Sequence, residues 1–254
     1  KLYSVYQISP VIPKKIHYCW LSGEKYPRLV KKCLKSWQQM LPDYEIKLWD
    51  AKSFDFNSIL FVKQAFERKQ YAFVSDYIRL YALYNEGGIY LDSDVMVYNR
   101  FDHWHNLDFF TGIETRTPQH KHFWIEAAIL GAIPGNKMIR ECMDYYESIP
   151  FIKNDGTMDR TPAPDILTPI FIRHYGWVPA EGKAELADNT VVFGANEITS
   201  SQYPLLPSVA LYHCNNCSWI PTEPWRGPLY KFCRNHDLMH LYRSIEKLKI
   251  SKKQ

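Results

Sequence analysis

A helix that is apolar on almost every side, followed by two glycines and a short strand, constrains this chain's fold most. The helix is predicted over about residues 72–86, within the segment YAFVSDYIRLYALYNE. A helix of this composition is buried within a protein. Gly87 and Gly88 follow it, where a residue with positive φ commonly ends a helix. The next residues, Ile-Tyr-Leu-Asp, continue as a strand, so we expect a helix packed on a sheet.

Strand-like and helix-like patterns alternate along the rest of the chain. An opening strand in VIPKKIHYCW has Ile16, Tyr18 and Trp20 on one side. Further strands are predicted in YEIKLWD, VMVYN, DFFTGIE, WIEAAILGAI, TVVFG and VALYHC, and further helices in PRLVKKCLKSWQQM and over about residues 58–70, 136–148 and 165–175. This alternation indicates an α/β fold with a mostly parallel sheet and later antiparallel additions.

Length and composition favour a soluble protein with one core. A chain of 254 residues has room for one sizeable core, so we expect a single domain over residues 1–254. Its 46% hydrophobic and 23% charged residues are ordinary for a globular protein. No apolar run reaches the roughly 18 residues of a membrane span. Six cysteines without a secretory signal predict reduced thiols and a cytoplasmic protein.

The whole net charge of +4 resides in the C-terminal tail, where five basic residues and one acid follow residue 242. A basic amphipathic helix is predicted over about residues 228–254, because apolar residues recur there at helical spacing (Leu238, Leu241, Tyr242, Ile245 and Leu248). In one interpretation, the apolar face of this helix packs on the rest of the protein. The other adds reversible peripheral association with an anionic membrane, such as the inner face of the cell membrane.

Two carboxylates, Asp92 and Asp94, end the strand that follows the glycines. Residues i and i+2 of an extended segment point to the same side, so these side chains should face one place. At the carboxyl end of a parallel strand, that place is the crevice where α/β proteins bind ligands. Because convergent anions repel each other, a divalent cation is expected between them. The alternative is a solvated turn.

Asp76 and Arg79 stand at i and i+3 inside the apolar helix. A buried ion pair is rarely retained for stability, since desolvation can cancel the Coulomb gain. The pair is therefore either a satisfied core salt bridge or a contact to a polar ligand near the same crevice.

Three segments in this order, IHYCWLSG, SDYIRLYALYNEGGIYLDSD and HCNNCSW, carry a resemblance to a known family. The chain resembles the sugar transferases of glycosyltransferase family 32, similar to capsular polysaccharide glycosyltransferases, and the catalytic region of the clostridial glucosylating toxins. The similarity covers about residues 11–101 and returns at 213–219. It implies a GT-A fold (a Rossmann-like mixed sheet flanked by helices), a nucleotide-sugar donor, Mn²⁺ or Mg²⁺, and retention at the anomeric carbon.

The resemblance also implies roles for individual residues. Trp20 would stack on the nucleobase, while Asp76 and Arg79 would hold the donor's sugar. Asp92 would contact the ribose and the water shell of the metal, and Asp94 would ligate the metal directly. The last four of these residues form the expected catalytic set.

The C-terminal part of the resemblance rests on a histidine followed five residues later by Ser-Trp. His213 would be a metal ligand, and Ser218 and Trp219 would contact the diphosphate. The toxins have a glutamate in this neighbourhood. As an alternative, His213, Cys214 and Cys217, with Cys233 beyond, have a partial zinc-site spacing, although a second close pair of ligands is missing.

Other polar residues have a functional and a structural interpretation. Glu126 lies in an apolar strand pattern and could line the donor-sugar pocket or be a satisfied core acid. Asp165, framed by prolines, could contact donor or acceptor, or could cap a helix. We expect four histidines at the surface (His103, His105, His120 and His122).

These observations predict a hexosyltransferase that uses UDP-glucose or UDP-galactose. The acceptor would be a saccharide or lipid-linked saccharide in capsule or surface polysaccharide synthesis, and no nucleic acid is expected. The alternatives are a GDP-mannose-dependent mannosyltransferase, a catalytically silent GT-A binding module, and a zinc-stabilised interaction domain.

Overall fold

The computed structural model describes residues 11–115, 122–201 and 205–215. Among these residues, no helix combines the length and apolar character needed to cross a membrane. The helices are α1 (Arg28–Met40), α2 (Leu60–Glu67), α3 (Tyr71–Glu86), α4 (Lys137–Ser148) and α5 (Ala163–Tyr175), with a 3₁₀ helix at Asp102–Asn106. The strands are β1 (Lys15–Cys19), β2 (Glu45–Trp49), β3 (Gly88–Leu91), β4 (Val95–Val97), β5 (Phe109–Glu114), β6 (Trp124–Ala132), β7 (Ala184–Leu186), β8 (Thr190–Phe193), β9 (Ile198–Ser200) and β10 (Leu211–His213).

Seven strands form the main sheet, in the order β2-β1-β3-β6-β5-β8-β7. The predicted class, a Rossmann-like mixed sheet flanked by helices, is confirmed. The expectation of a mostly parallel sheet is wrong in detail, because β6 is antiparallel to both β3 and β5, and β7 is antiparallel to β8. The long strand β6 therefore separates the parallel group β2-β1-β3 from the parallel pair β5-β8.

The main sheet has a different apolar layer on each face. Helices α2 to α5 pack on one face, where the side chain of Tyr90 joins the larger core cluster. Ile89 and Leu91 point to the other face, where they meet Trp37 of α1 and a second, smaller sheet. Burial of both faces explains why the sequence of β3 is a continuous apolar run.

The second sheet has the order β4-β10-β9. β10 is antiparallel to β4 and parallel to β9. The chain passes from the main sheet to this sheet between β3 and β4, at residues 92–94. Neither β7 nor β9 was predicted, since Ala-Glu-Leu and Ile-Thr-Ser lie outside the apolar runs by which the equally short β4 and β10 were recognised.

Gly87 ends α3 as predicted, with a φ of 63° and an N–H that donates to the carbonyl of Leu83. A side chain at this position would also collide with Pro134, because a Cβ would lie 2.6 Å from its Cδ atom. The turn from α3 into β3 therefore requires glycine for both its conformation and its close packing.

His105 is buried, and its predicted position at the surface is wrong. The residue belongs to the 3₁₀ helix and is 8% exposed. Its ring nitrogens form hydrogen bonds with the Tyr44 hydroxyl and the carbonyl of Ile12. Two partners satisfy the ring, so it can be buried without an unpaired polar group. His103 and His122 are exposed as expected, whereas His120 lies outside the described residues.

His17 of β1 is fully buried and held as a single neutral tautomer. The indole Nε1–H of Trp49 donates to its Nδ1 at 3.1 Å, so the ring proton must lie on Nε2, which donates to the carbonyl of Gly87 at 2.9 Å. Burial lowers the pKa of His17 below its ordinary value, because the charged form would lose its hydration.

We expect His17 to contribute a decrease in the free energy of unfolding as the pH falls from about 7.5 to about 5.5. The unfolded chain binds a proton at His17 near pH 6.5, whereas the folded protein does so only at lower pH, so acid acts through this residue to favour unfolding. Urea titrations at several pH values measure the pH dependence of the free energy of unfolding. His17→Gln should remove this contribution, so that acid destabilises the variant less than the wild type, and the exposed control His103→Gln should leave the pH dependence unchanged. An equal slope in the wild type and His17→Gln would contradict the assignment.

Candidate active site

Asp92 and Asp94 occupy the tight turn between β3 and β4. The N–H of Val95 donates to the carbonyl of Asp92 at 3.0 Å, which closes the turn. The expectation that both aspartates continue an extended strand is therefore wrong. Their carboxylates nevertheless converge, because one ligand atom each from Asp92, Asp94 and His213 lies within 4.8 Å of the others.

The small sheet brings His213 to this turn. His213 pairs with Val95 in the antiparallel register of β10 and β4, and the next N–H, that of Cys214, donates to the carbonyl of Asp94 at 3.0 Å. The imidazole Nε2 of His213 then lies 3.6 Å from Oδ1 of Asp94. A residue more than a hundred positions away in sequence thus completes the carboxylate cluster.

The chemistry of this ligand set fits a divalent cation. Two carboxylates and one imidazole are ligand types that Mn²⁺ accepts, and oxygen-rich sites also suit Mg²⁺. Among the described residues, Cys214 does not belong to the group of converging ligands. Cys217 and Cys233, on which a zinc site would depend, lie outside the described residues.

Arg79 links α3 to the same turn. Its side chain is 4% exposed, and its Nη2 lies 2.7 Å from Oδ1 of Asp76 and 3.6 Å from Oδ1 of Asp92. Its Nη1 donates to the carbonyl of Ala127 at 2.6 Å, and the guanidinium lies over the ring of Tyr90. The pair is a buried salt bridge that also reaches the carboxylate turn, so the two interpretations of the sequence do not exclude each other.

The electrostatics of this buried group are uneven. Burial raises the pKa of Asp76 to about 7, although the charge of Arg79 opposes the shift. Burial also raises the pKa of Asp92, again against Arg79 and in the same direction as the neighbouring Asp94. Burial alone would lower the pKa of Arg79, but Asp92, Tyr90 and Asp76 together raise it. One guanidinium therefore serves two carboxylates.

Glu126 of β6 lies behind His213. Its side chain is 2% exposed, and its Oε1 is 3.2 Å from Nδ1 of the imidazole. Burial disfavours both charges, but mutual attraction outweighs it: the pKa of His213 is raised well above its ordinary value and that of Glu126 is lowered. From the sequence, Glu126 could either line the donor-sugar pocket or be a satisfied core acid. In the structure it is a buried acid whose charged neighbour is the imidazole of His213.

An irregularity in β6 holds three parts of the site. The pairing of β5 with β6 shifts from Thr111–Leu130 to Ile113–Ile125, so that residues 126–129 lie opposite Gly112 alone on the β5 side. This bulge presents the Glu126 carboxylate to His213 and the carbonyl of Ala127 to Arg79, while the carbonyl of Ala128 accepts from the N–H of Asp92 at 2.9 Å and continues the pairing of β6 with β3. The bulge was not predicted from the sequence. Gly112, a glycine within the apolar strand β5, was the signal that could have indicated it.

Trp20 lies at the same edge of the main sheet. β1 and β3 are parallel with Ile16 beside Ile89, so Trp20, the residue after β1, lies at the same end of the sheet as the turn after β3. The indole is half-buried, its Nε1–H donates to the carbonyl of Glu24 at 2.7 Å, and its ring lies edge-on to Tyr26. Trp20 is thus anchored with part of its surface exposed.

Among the described residues, Asp165 is not part of this cluster. Asp165 is in the first turn of α5, which begins after Pro162, so it is not the N-cap residue. Ser218 and Trp219 lie outside the described residues, as does the predicted helix over about residues 228–254.

Residues 4–159 match the family described as capsular polysaccharide synthesis proteins. The chain belongs to this family. The resemblance to capsular polysaccharide proteins drawn from the sequence is therefore confirmed at the level of the family. No curated protein matches the sequence.

The solved structures to which the chain is similar include several glycosyltransferases. The galactosyltransferase LgtC, in complex with donor and acceptor sugar analogues, is 15% identical over 91% of this chain and 95% of its own, with a TM-score of 0.47. A glycosyltransferase involved in glycosylation of the major capsid of PBCV-1 is 11% identical over 89% and 98%, with a TM-score of 0.47. The PaToxG glycosyltransferase is 17% identical over 65% and 70%, also with a TM-score of 0.47.

Gly112→Ala should disturb the site through β9. A Cβ at position 112 would lie 2.9 Å from Cβ of Ile198 and closer still to its Cγ2 atom, so β9 and its partner β10 must shift. We expect a loss of about 1–3 kcal/mol in the free energy of unfolding, as for other overpacked cores. Urea titration measures it.

The matched control is the double variant Gly112→Ala with Ile198→Ala, which removes the colliding methyl group. Its loss should be smaller than the sum of the two single losses. Strict additivity would mean that the close approach of β9 does not depend on this glycine.

Proposed function

We propose that the protein is a retaining, metal-dependent glycosyltransferase that transfers a hexose from a nucleotide sugar to a saccharide acceptor. The convergence of Asp92, Asp94 and His213 beside the buried pair of Asp76 and Arg79 carries this proposal. UDP-glucose and UDP-galactose are the favoured donors. Membership of the capsular polysaccharide family supports a role in capsule or surface polysaccharide synthesis.

The three converging ligands would hold Mn²⁺ or Mg²⁺. Such an ion acts, when bound, as a Lewis acid that stabilises the charge developing on the diphosphate leaving group. The protein's own contribution is a set of fixed charges. Asp92 is held by the hydroxyl of Tyr90 at 2.9 Å and by a backbone hydrogen bond, so its carboxylate is already oriented before a ligand arrives.

Arg79 and Asp76 would bind and orient the donor's sugar. The guanidinium is fixed by its backbone and carboxylate acceptors, so it cannot swing out into solvent. A sugar seated beside Asp92 would meet the small exposed edges of both side chains. A planar guanidinium oriented in this way can donate to hydroxyl oxygens, and the carboxylate can accept from hydroxyl groups.

Trp20 would stack on the nucleobase of the donor, a contact that every base can make and that therefore does not select one base. Trp20 lies at the end of the main sheet where the carboxylate turn follows β3, and its indole retains an exposed part. Contacts from Ser218 and Trp219 to the diphosphate belong to the same proposal.

The acceptor of this reaction would be a growing saccharide, free or linked to a lipid. A cytoplasmic enzyme acting on a lipid-linked acceptor would benefit from reversible attraction to an anionic membrane. The basic tail after residue 242 is the segment that would supply it.

A screen of donor hydrolysis tests the proposal against its rivals. UDP-, GDP- and dTDP-sugars are incubated with the protein and Mn²⁺, and the released nucleotide is measured. Turnover of UDP-glucose or UDP-galactose is expected, whereas selective turnover of GDP-mannose would favour a mannosyltransferase. Binding without turnover of any donor would favour a silent binding module, against which the complete set of Asp76, Arg79, Asp92 and Asp94 argues.

Asp94→Asn should abolish both Mn²⁺ binding and donor turnover while leaving the fold intact. The substitution keeps the shape of the side chain but removes the charge that would ligate the cation. Calorimetry and the release of nucleotide measure the two losses. Asp144→Asn on the exposed side of α4 is the matched control and should be neutral. If Asp94→Asn turned over the donor in EDTA at the wild-type rate, the metal-dependent mechanism would be contradicted.

Trp20→Ala should weaken the binding of UDP by about 1–3 kcal/mol, the usual value of one base stacked on an aromatic ring. Trp20→Phe retains a ring and should recover part of this loss. Calorimetry with UDP gives both values, and thermal unfolding shows whether each variant is folded. Unchanged affinity in a folded Trp20→Ala variant would mean that the indole serves only for packing.

A further inference from the structure

We propose that Glu126 is a positioning residue for His213: its buried carboxylate, 3.2 Å from Nδ1, would accept the Nδ1 hydrogen when a cation is bound and thereby direct Nε2 toward the cation shared with Asp92 and Asp94. The proposal rests on the metal-dependent function proposed above. It concerns a residue that neither the family pattern in the sequence nor the cluster of three converging ligands includes.

The position of the Glu126 carboxylate is fixed by the bulge in β6. Its Oε1 accepts from the N–H of Ala128 at 3.2 Å and lies at the same distance from Nδ1 of His213. Both contacts come from one oxygen, so the carboxylate cannot turn away from the imidazole without losing its backbone hydrogen bond. The bulge therefore presents a fixed acceptor to the ring.

The two nitrogens of His213 consequently face different groups. Nδ1 is buried and makes no aligned hydrogen bond, although Oε1 of Glu126 lies 3.2 Å from it, while Nε2 lies 3.6 Å from Oδ1 of Asp94 on the side of the carboxylate cluster. A metal-binding histidine commonly donates its other ring N–H to a carboxylate, which fixes the tautomer and raises the basicity of the ligating nitrogen. Without Glu126, the proton could occupy either nitrogen, and part of the protein would present N–H to the cation.

Direct contact between Glu126 and a sugar is disfavoured by burial. Only 2% of the residue is exposed, and His213 lies between its carboxylate and the turn that bears Asp94. Any effect of Glu126 on the reaction should therefore pass through the imidazole.

The experiment measures the Kd of Mn²⁺ by electron paramagnetic resonance, without nucleotide. Glu126→Leu removes the acceptor, and we expect it to weaken Mn²⁺ binding by about 10- to 100-fold. Glu126→Gln keeps an acceptor oxygen but loses the charge, so a smaller loss is expected from a variant that retains the shape of the buried residue. The matched control is Glu86→Gln, which removes a partly buried carboxylate of α3 that pairs with Lys15 and Lys47. This variant should bind Mn²⁺ as the wild type does.

A double-mutant cycle separates positioning from general stabilisation. If Glu126 acts through the imidazole, Glu126→Gln should change the Kd of Mn²⁺ in the wild type but not in a His213→Gln background. A merely structural or long-range electrostatic role would give the same fold-change in both backgrounds, and that result would overturn the proposal.

The failure of this proposal is distinguishable from the failure of the proposed function. A wild-type protein that binds no Mn²⁺ would overturn both. A wild-type protein that binds Mn²⁺ with the same Kd as the folded variants Glu126→Gln and Glu126→Leu would overturn only the role of Glu126.

Discussion

The guanidinium of Arg79 is the charge on which the carboxylate site depends. It is almost fully buried between Asp76 of α3 and Asp92 of the turn after β3, and the carbonyl of Ala127 fixes its orientation. Carboxylates placed so close together without a cation would repel each other and lose their hydration. Arg79 therefore allows the helix layer and the end of the main sheet to share one polar site, and the apolar surroundings of α3 keep it there.

The bulge in β6 connects this guanidinium to the imidazole of His213. Four consecutive residues, 126–129, face a single glycine of β5, and their backbone and side-chain groups reach Arg79, Asp92 and His213 in turn. In a regular strand the carbonyl of Ala127 would pair with β5 and could not reach Arg79, whereas the carbonyl of Ala128 continues the pairing of β6 with β3. The small sheet closes the arrangement from the opposite face, because Ile198 of β9 occupies the space that a side chain at Gly112 would fill.

Sequence patterns predicted what depends on local chemistry and missed what depends on register between distant segments. The buried helix, its end at Gly87 and most of the strands follow from periodicity and from the conformational freedom of glycine. The tight turn at residues 92–94, the three-residue strand β9 and the burial of His105 do not, because each is set by a partner far along the chain. Periodicity could not reveal that Glu126 faces His213, since it reports burial and not neighbours.

Two buried acids of the site differ in a way that suits the proposed reaction. Burial raises the pKa of Asp76 to about 7, whereas the pKa of Glu126 is lowered because the attraction of His213 outweighs burial. Asp76 shares Arg79 with Asp92, while Glu126 meets the imidazole directly. A sugar hydroxyl needs a donor or an acceptor but no net charge, and a carboxyl near its pKa at neutral pH can be either. A histidine that ligates a cation is better served by a permanent anion behind it. The acid with the lowered pKa thus lies behind the proposed metal ligand His213, and the acid with the raised pKa lies beside the arginine proposed to bind the sugar.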